Sequence, residues 1–234
     1  MRARELHPWH LSTRQAVAVQ ERLRGQVLES PLPWAKMHFV AGCDVAVCGT
    51  NLLAAVIVLE LQSLETVATA EARAEASFPY VPGLLSFREV PVLLKAFERL
   101  RQLPDAVLCD GQGRAHPRRF GLACHLGLLL DLPSVGVAKS RLIGEANEPG
   151  SNRGSWTPIA DKDEVVGRLL RTRDRVRPLY VSIGHRITLD DAVALVLKTG
   201  AGLRLPEPTR LADKRVGRLA RAGVGSKKTP DAVE

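Results

Sequence analysis

Two aspartates lie in segments that otherwise have the composition of buried β-strands. Asp44 is in the middle of VAGCDVAV, and Asp110 closes AVLCD. A carboxylate among apolar side chains is costly unless it is paired or binds a cation. An aspartate followed by glycine is also a common turn start, so Asp110 alone favours a turn and a site equally, but no turn is available in mid-strand at Asp44. Together they predict a site for a hard divalent cation, with Mg²⁺ the natural candidate.

Two further acids could reach the same place. Glu89 lies on the first turn of a helix predicted to follow a proline-rich loop, and Asp213 lies on the last predicted helix. Cations held in this way polarise a phosphodiester, supply a hydroxide nucleophile and clamp the attacking and leaving oxygens in line. The acids therefore favour phosphodiester hydrolysis.

The proline-rich loop reads FPYVPGLLSFRE from Phe78. Pro79 and Pro82 remove backbone donors and fix φ, so this stretch is neither a central strand nor a helix interior. It is predicted to be a stiff turn that presents Tyr80. From its shape alone, the favoured interpretation is a locked connection whose tyrosine packs on its own protein.

Periodicity and turn signals give the order of the elements that must position these residues. The predicted helices cover residues 12–29, 86–102, 118–130, 189–199 and 207–220, and the predicted strands cover residues 38–48, 52–60, 63–74, 106–110, 134–138 and 178–183. Short links imply that the first three strands pair antiparallel, and the later alternation of strand and helix implies parallel pairing through crossover helices.

This order predicts an α/β fold of the ribonuclease-H-like type, a mixed sheet of three antiparallel strands followed by parallel strands with crossover helices, flanked by helices. In such a sheet Asp44 and Asp110 fall side by side on adjacent central strands. No internal repeat or linker is present, so residues 1–222 are predicted to form a single domain, with residues 223–234 a disordered basic tail.

Composition favours a nucleic-acid partner. The 234 residues carry 33 Lys and Arg against 25 Asp and Glu, a formal charge of +8, which suits a polyanion. The chain shows no signal peptide or membrane span, and its four cysteines lack C-x-x-C spacing, so we expect a cytoplasmic protein with reduced thiols, without membrane association.

Six ordered motifs resemble those of the endonuclease V family, the deoxyinosine-directed nucleases, from Leu11 to about Leu219. They are VAGCDVAV, FPYVPGLLSFRE, CDGQGRAHPRRFGLACHLG, VGVAKSRLIG, SIGHRI and LPEPTRLAD. Departures at small residues, such as Cys43 and Cys109 beside the acids, leave every acidic position intact. The family resemblance is specific because the blocks occur together and in order.

The resemblance implies roles for individual residues. Asp44 and Asp110 would be metal ligands, and Glu89 and Asp213 would complete the centre or activate water, with Mg²⁺ as cofactor and Mn²⁺ as a substitute. His116 and Lys139 match basic residues near the scissile bond.

The resemblance also implies how a lesion would be recognised. The turn Pro79-Tyr80-Val81-Pro82 would be a wedge that enters the duplex while the lesion base turns out into a pocket. Flipping costs a few kcal/mol and stacking recovers roughly 1–3 kcal/mol. Gly83 would allow backbone to approach the flipped base, and Leu85, Gly111 and Leu142 would line its pocket.

Three groups of basic residues remain. Arg114, Arg118 and Arg119 flank His116 and are predicted to follow the nucleic-acid backbone. The run of arginines within residues 168–177 is predicted to be a solvated face. A third cluster lies within residues 214–228.

The implied function is a Mg²⁺-dependent endonuclease of DNA repair. It would act as a monomer on DNA that contains deoxyinosine or other deaminated bases, cut one nucleotide to the 3′ side of the lesion, and leave a 3′-hydroxyl and a 5′-phosphate. Alternatives are an inosine-specific nuclease for single-stranded RNA and a non-catalytic binder of deaminated nucleic acid, which the intact acids oppose. A junction-resolving nuclease fits the fold but lacks the proline wedge.

Overall fold

The computed structural model describes residues 2–225 of the chain, with side chains described up to residue 222. Eight strands form one mixed sheet in the order β3-β2-β1-β4-β5-β8-β7-β6. The strands are β1 Phe39–Cys48, β2 Asn51–Glu60, β3 Thr66–Glu75, β4 Ala106–Cys109, β5 Ser134–Ala138, β6 Trp156–Asp161, β7 Glu164–Leu170 and β8 Leu179–His185. The α-helices are α1 Thr13–Leu23, α2 Leu85–Glu98, α3 Leu122–Leu130, α4 Leu189–Lys198 and α5 Glu207–Gly225.

The central strands pair as the sequence predicts. β1, β2 and β3 are antiparallel neighbours, and β4 is parallel to both β1 and β5. The ribonuclease-H-like fold class is therefore confirmed. The other half of the sheet differs from the prediction of parallel strands, because β8 lies antiparallel to β5 and to β7.

Helices cover both faces of this sheet. One apolar layer joins the sheet to α2 and α3 through residues such as Val90, Phe97 and Leu126, and a second joins it to α4 and α5 through Val193 and Ala212. A third cluster packs α1 against Phe78, Leu84 and Phe87 at the start of α2. The proline-rich turn is thus anchored between two helices.

Several predicted boundaries were wrong. α2 ends at Glu98 and not at residue 102, β3 begins at Thr66 and not at residue 63, and three further helix ends also differ. The first helix ends at Leu23 and continues only as a short 3₁₀ turn to Gln26, not to residue 29. α3 begins at Leu122, four residues later than predicted, because Arg119 adopts a left-handed φ of 58° that a helix cannot include. α5 continues to Gly225, so residues 226–234 of the predicted tail lie outside the described residues.

The hairpin of β6 and β7 was not predicted. β6 contains Pro158 and sits at the edge of the sheet, the position in a sheet where proline is tolerated. Its mixed polar composition gives a weak strand signal. Within residues 2–225, no helix is both long and apolar enough to cross a membrane. All four cysteines are free thiols.

Asp191 ties the segment before β1 to the start of α4. Its carboxylate accepts hydrogen bonds from the Leu32 N–H at 2.9 Å, the Trp34 Nε1 at 2.7 Å and the Thr188 hydroxyl at 2.8 Å. Burial alone would raise the pKa of Asp191, but the bonds from Leu32, Trp34 and Thr188 outweigh it and hold this pKa below its usual value. The ionised form is therefore the one that stabilises the fold.

We predict that Asp191→Ala lowers the free energy of unfolding by about 1–3 kcal/mol, because it leaves three part-buried donors without their acceptor. Thermal unfolding checks this, with Asp190→Ala as the matched control. Asp190 is 84% exposed and its pair with Arg168 lies at the surface, so its loss should cost at most about 1 kcal/mol.

The contribution of Asp191 to stability depends on pH with a defined sign. Because the folded pKa of Asp191 is depressed, its contribution is present above the unfolded pKa of about 3.9 and is lost as the pH falls through the folded value. The stability gap between wild type and Asp191→Ala should be constant at neutral pH and narrow in acid. A gap that widened in acid would contradict this role.

Candidate active site

Strand register brings Asp44 and Asp110 together. Cys43 of β1 is the partner of Cys109 of β4 in a parallel pair. The residues that follow these cysteines, Asp44 and Asp110, therefore lie beside each other. Asp44 is in the middle of β1 and Asp110 directly follows β4, as predicted. One carboxylate oxygen from each of Asp44, Asp110 and Asp213 lies within 4.8 Å of the others.

A close approach between backbones carries Asp213 to this place. A Cβ added at Gly42 of β1 would lie 2.0 Å from the carbonyl carbon of Pro208 in the first turn of α5. Only glycine lets the helix lie this near the strand. Gly42 and Asp44 project from the same side of β1, so the helix that covers Gly42 also presents Asp213 above Asp44.

Lys139 neutralises part of the acidic cluster. It directly follows β5, and its Nζ lies 2.6 Å from Asp110 Oδ2 and 3.0 Å from Asp213 Oδ1. Burial would lower the pKa of Lys139, but the bonds and charges of Asp110 and Asp213 raise it above its usual value. Lys139 is therefore a cation held between two carboxylates.

Burial and mutual repulsion act on the other acids. The pKa of Asp44 is raised to about 7, first by burial and then by the charge of Asp110. The pKa of Glu89, on the second turn of α2, is raised to about 8 by burial and by the charges of Asp44 and Asp110. Glu89 lies outside the group of converging oxygens but within its electrostatic field.

The donor set suits a hard cation. It consists of carboxylate oxygens, which Mg²⁺ and Mn²⁺ prefer, and softer metals would favour thiolate or imidazole ligands. A bound dication would remove the repulsion that raises the pKa of Asp44. Asp44, Asp110 and Asp213 are the residues that could hold it, which includes both predicted ligands.

A cavity of about 390 Å³ adjoins the acids. This volume is within the range of small-ligand pockets, about 300–1,000 Å³. Asp110 and Lys139 are among the residues that line it. The predicted recognition residues that line it are Tyr80, Val81, Pro82, Gly83, Leu85, Gly111 and Leu142, together with His116. Pro79 is exposed and lies outside the lining.

The two aromatic residues of the turn face opposite ways. Phe78 is buried against Phe87 in the cluster beneath α1. Tyr80 is 68% exposed. The interpretation of Tyr80 as a packed anchor is therefore wrong, because Phe78 anchors the turn and Tyr80 is presented to solvent.

His116 contacts the base of this turn. Its Nε2 lies 3.0 Å from the Gly83 carbonyl, and its Nδ1 accepts from the Arg118 N–H at 3.2 Å. Burial, followed by the charge of Arg118, lowers the pKa of His116 to about 4. The ring is thus neutral, with the proton on Nε2 because a carbonyl can only accept. Arg118 also donates to the Gly83 carbonyl, from Nη2 at 2.7 Å.

Arg119 and Arg114 contact the β6–β7 hairpin. Arg119 donates to Asp161 at 2.7 Å and to Glu164 at 2.7 Å, and Arg114 donates to Glu164 at 2.8 Å. Two of the three guanidinium groups predicted to follow a nucleic-acid backbone therefore bind acids of the protein itself.

The later arginine run is not simply a solvated face. Arg168 stacks 3.8 Å from the ring centroid of Trp156. Arg171 is only 7% exposed and donates to the carbonyls of Gly150, Pro149 and Val176.

Two glutamines that line the cavity were not predicted. Gln112 donates from Nε2 to the Ser140 carbonyl at 3.0 Å, and its Oε1 is the one buried side-chain acceptor without a partner within residues 2–222. Gln20 of α1 contacts Gly83. The sequence does contain an indication that Gln20 is buried with a specific partner, because it is a polar residue on the apolar stripe of Ala16, Val19 and Leu23.

Carboxylates on adjacent central strands, with a further acid on the helix that crosses them, define this chain as a ribonuclease-H-like nuclease. The family model described as Endonuclease V matches residues 21–214. The chain belongs to the endonuclease V family.

Relatives of known sequence and structure agree. The chain is 50% identical to the endonuclease V of Roseiflexus castenholzii, over 88% of this chain and 93% of that protein. The solved endonuclease V from Streptomyces avermitilis is 45% identical with a TM-score of 0.88, covering 92% of this chain and 96% of that one. The Ciona intestinalis endonuclease V in complex with a DNA containing an inosine followed by a ribo-adenosine is 25% identical, with a TM-score of 0.78 over 89% of this chain and 98% of that one.

We predict that Gly42→Ala moves α5 away from β1, because the new methyl group would overlap the Pro208 backbone, which cannot yield as a flexible side chain would. Overpacking of this kind typically costs about 1–3 kcal/mol. Thermal unfolding should show that loss, and Mg²⁺ should raise the melting temperature of the variant less than that of wild type. Gly25→Ala is the control, since a Cβ there meets nothing within 4 Å. An unchanged response to Mg²⁺ would show that α5 does not need this approach.

Proposed function

We propose that this protein is a Mg²⁺-dependent endonuclease of DNA repair that recognises deoxyinosine and hydrolyses the phosphodiester one nucleotide to its 3′ side, leaving a 3′-hydroxyl and a 5′-phosphate. The observation that carries the proposal is that the acidic cluster and the proline-rich turn border the same cavity. Asp110 and Lys139 line the same cavity as the exposed Tyr80, so an acidic centre and an aromatic turn border one space.

In this proposal Asp44, Asp110 and Asp213 hold Mg²⁺, for which Mn²⁺ could substitute. When bound, the metal polarises the phosphodiester and lowers the pKa of water. Glu89, whose pKa of about 8 is raised by burial and by Asp44 and Asp110, orients the attacking water and accepts its proton. Lys139 places its ammonium where it can offset charge on a phosphate oxygen or on the leaving oxygen.

Recognition would use the turn and the cavity wall. Tyr80 stacks on the base left exposed when the lesion base turns out of the helix, while Pro79, Val81 and Pro82 keep the turn stiff. A turn ordered before binding loses less entropy on insertion. The flipped base would lie against Gly83, Leu85, Gly111 and Leu142. Hypoxanthine has an O6 acceptor and an N1–H donor, so backbone groups alone could distinguish it from adenine.

The roles of the basic residues follow from their contacts. We assign His116 and Arg118 to the base of the turn, where both bind the Gly83 carbonyl, and Arg119 to anchoring the hairpin. We further propose that residues 1–222 act as a single domain and that the protein works as a monomer.

An inosine-specific endoribonuclease is a second candidate. The ligand of the Ciona intestinalis relative carries a ribo-adenosine directly after its inosine. Cleavage of matched DNA and RNA oligonucleotides with a single inosine, in Mg²⁺ and in EDTA, separates the two candidates. A non-catalytic binder is disfavoured, because binding alone does not require clustered acids, whose mutual repulsion is electrostatically unfavourable.

We predict that Asp110→Ala lowers the single-turnover rate on inosine-containing DNA by more than about 100-fold, since it removes a metal ligand, and changes even in outer-shell partners cost about 10–100-fold. Binding of the same DNA should be largely retained, and Asp44→Ala should behave likewise. The Mg²⁺-dependent rise in melting temperature should also shrink, a readout that needs no cleavage.

The matched control is Asp163→Ala, which removes an exposed carboxylate at the hairpin turn. It should leave cleavage and the response to Mg²⁺ at wild-type levels. A folded Asp110→Ala protein that cut near the wild-type rate would refute the assignment of the acids.

We predict that Tyr80→Ala weakens the preference for inosine over undamaged DNA, because the lost stacking is roughly 1–3 kcal/mol. The free energy of unfolding should change by no more than about 0.5 kcal/mol, since Tyr80 is exposed. Phe78→Ala should show the opposite pattern, with a loss of about 3–5 kcal/mol in stability. A large melting shift in Tyr80→Ala with unchanged inosine preference would eliminate the wedge role.

A further inference from the structure

One backbone carbonyl at the base of the turn receives three side-chain donors. The Gly83 oxygen accepts from His116 Nε2 at 3.0 Å, from Arg118 Nη2 at 2.7 Å and from Gln20 Nε2 at 3.0 Å. His116 and Arg118 belong to the loop before α3, but Gln20 comes from α1. A distant helix thus reaches the residue that follows the wedge.

The orientation of the Gln20 amide is fixed by its neighbours. Its Nε2 also donates to the Phe120 carbonyl at 3.0 Å, and its Oε1 accepts from Arg118 Nε at 2.5 Å. Carbonyls can only accept and a guanidinium can only donate, so the reversed amide would lose all of these bonds. Gln20 therefore joins α1, the turn and the loop before α3.

Packing alone gives no reason for a glutamine here. Gln20 is completely buried and lies between apolar residues of α1 that fill the same cluster. An apolar side chain of similar size would avoid the desolvation of an amide. A fully satisfied buried polar group does something that an apolar one does not, which is to hold its partners in one arrangement.

Gly83 is the partner for which the arrangement matters. Its φ of +76° is one that other residues rarely adopt, and a Cβ there would meet the Arg118 guanidinium at 2.9 Å. The direction of its carbonyl sets the plane of the peptide that joins the turn to Leu84, which is buried. The orientation of that plane sets the direction in which residues 80–83 project from the protein surface.

We propose that Gln20 is a positioning residue for lesion recognition, which holds the Gly83 carbonyl and thereby keeps the 79–83 turn in its inserting conformation before nucleic acid binds. The inference rests on the proposed function, because it assigns the turn to recognition. Gln20 lies just before residues 21–214, where the family model matches. The metal-binding acids are not among its hydrogen-bond partners, so its effect should fall on binding rather than on the chemical step.

The first test needs no nucleic acid. Gln20→Met keeps the length of the side chain and removes its hydrogen bonds. Amide hydrogen exchange of the free protein should become faster in peptides that cover residues 79–85 and stay at the wild-type rate in β4. Ser12→Ala is the matched control, because it removes the capping box of α1 and leaves the bonds of Gln20 intact.

The second test measures function in the same variants. Gln20→Met should raise the half-saturating concentration of an inosine-containing oligonucleotide by about tenfold, the scale expected for one or two lost hydrogen bonds. The maximal single-turnover rate should stay within about threefold of wild type, since the chemical groups are untouched. The preference for inosine over undamaged DNA should fall with the affinity, and Ser12→Ala should keep wild-type preference.

A second variant guards against loss of folding. Gln20→Glu keeps an acceptor for Arg118, and its ionised carboxylate beside that guanidinium cannot donate to Gly83, so assayed above neutral pH it should reproduce the effect of Gln20→Met. Unchanged exchange in residues 79–85 in both variants would overturn the proposal, and so would a loosened turn with unchanged inosine preference. Failure of the wild-type protein to prefer inosine would instead refute the proposed function, while the exchange result would still report on the turn.

Discussion

Asp44 and Asp110 lie side by side on parallel strands, where burial and like charge both oppose ionisation and raise the pKa of Asp44 to about 7. A fold that keeps carboxylates in this way must supply positive charge close by. Lys139 provides one, at the end of the next parallel strand. The negative charge that remains is what would attract the dication of the proposed function, so the cost of burying the acids and their suitability as metal ligands have the same origin.

One short segment joins the turn proposed for recognition to this centre. The proline-rich turn ends at Gly83, α2 begins at Leu85, and Glu89 follows within the same helix. Phe78 and Leu84 anchor both ends of the turn in the cluster beneath α1. The turn and Glu89 therefore belong to one continuous segment, which sets where Tyr80 lies relative to Glu89.

The sequence was sufficient to predict the central strands of the sheet but not the strands at its β6 edge. The strands that carry Asp44 and Asp110 are apolar runs in which a carboxylate is conspicuous, and both acids lie where the pattern indicated. The β6–β7 hairpin has no such run, and the orientation of β8 depends on that hairpin. Gln20 and Gln112 gave only weak signals, because the role of a buried amide is set by partners that are distant in the chain.

Contacts also change how the net charge should be interpreted. Arg114 and Arg119 lie in a basic motif, yet Asp161 and Glu164 of the hairpin bind both of them. Arg118 is directed at Gly83. The formal charge of +8 already subtracts these acids, but it does not say which cations near the site point away from the protein's own acceptors. Arg141 is exposed and lines the cavity beside Lys139, so the case for a nucleic-acid partner depends on the position of a few cations and not on their number.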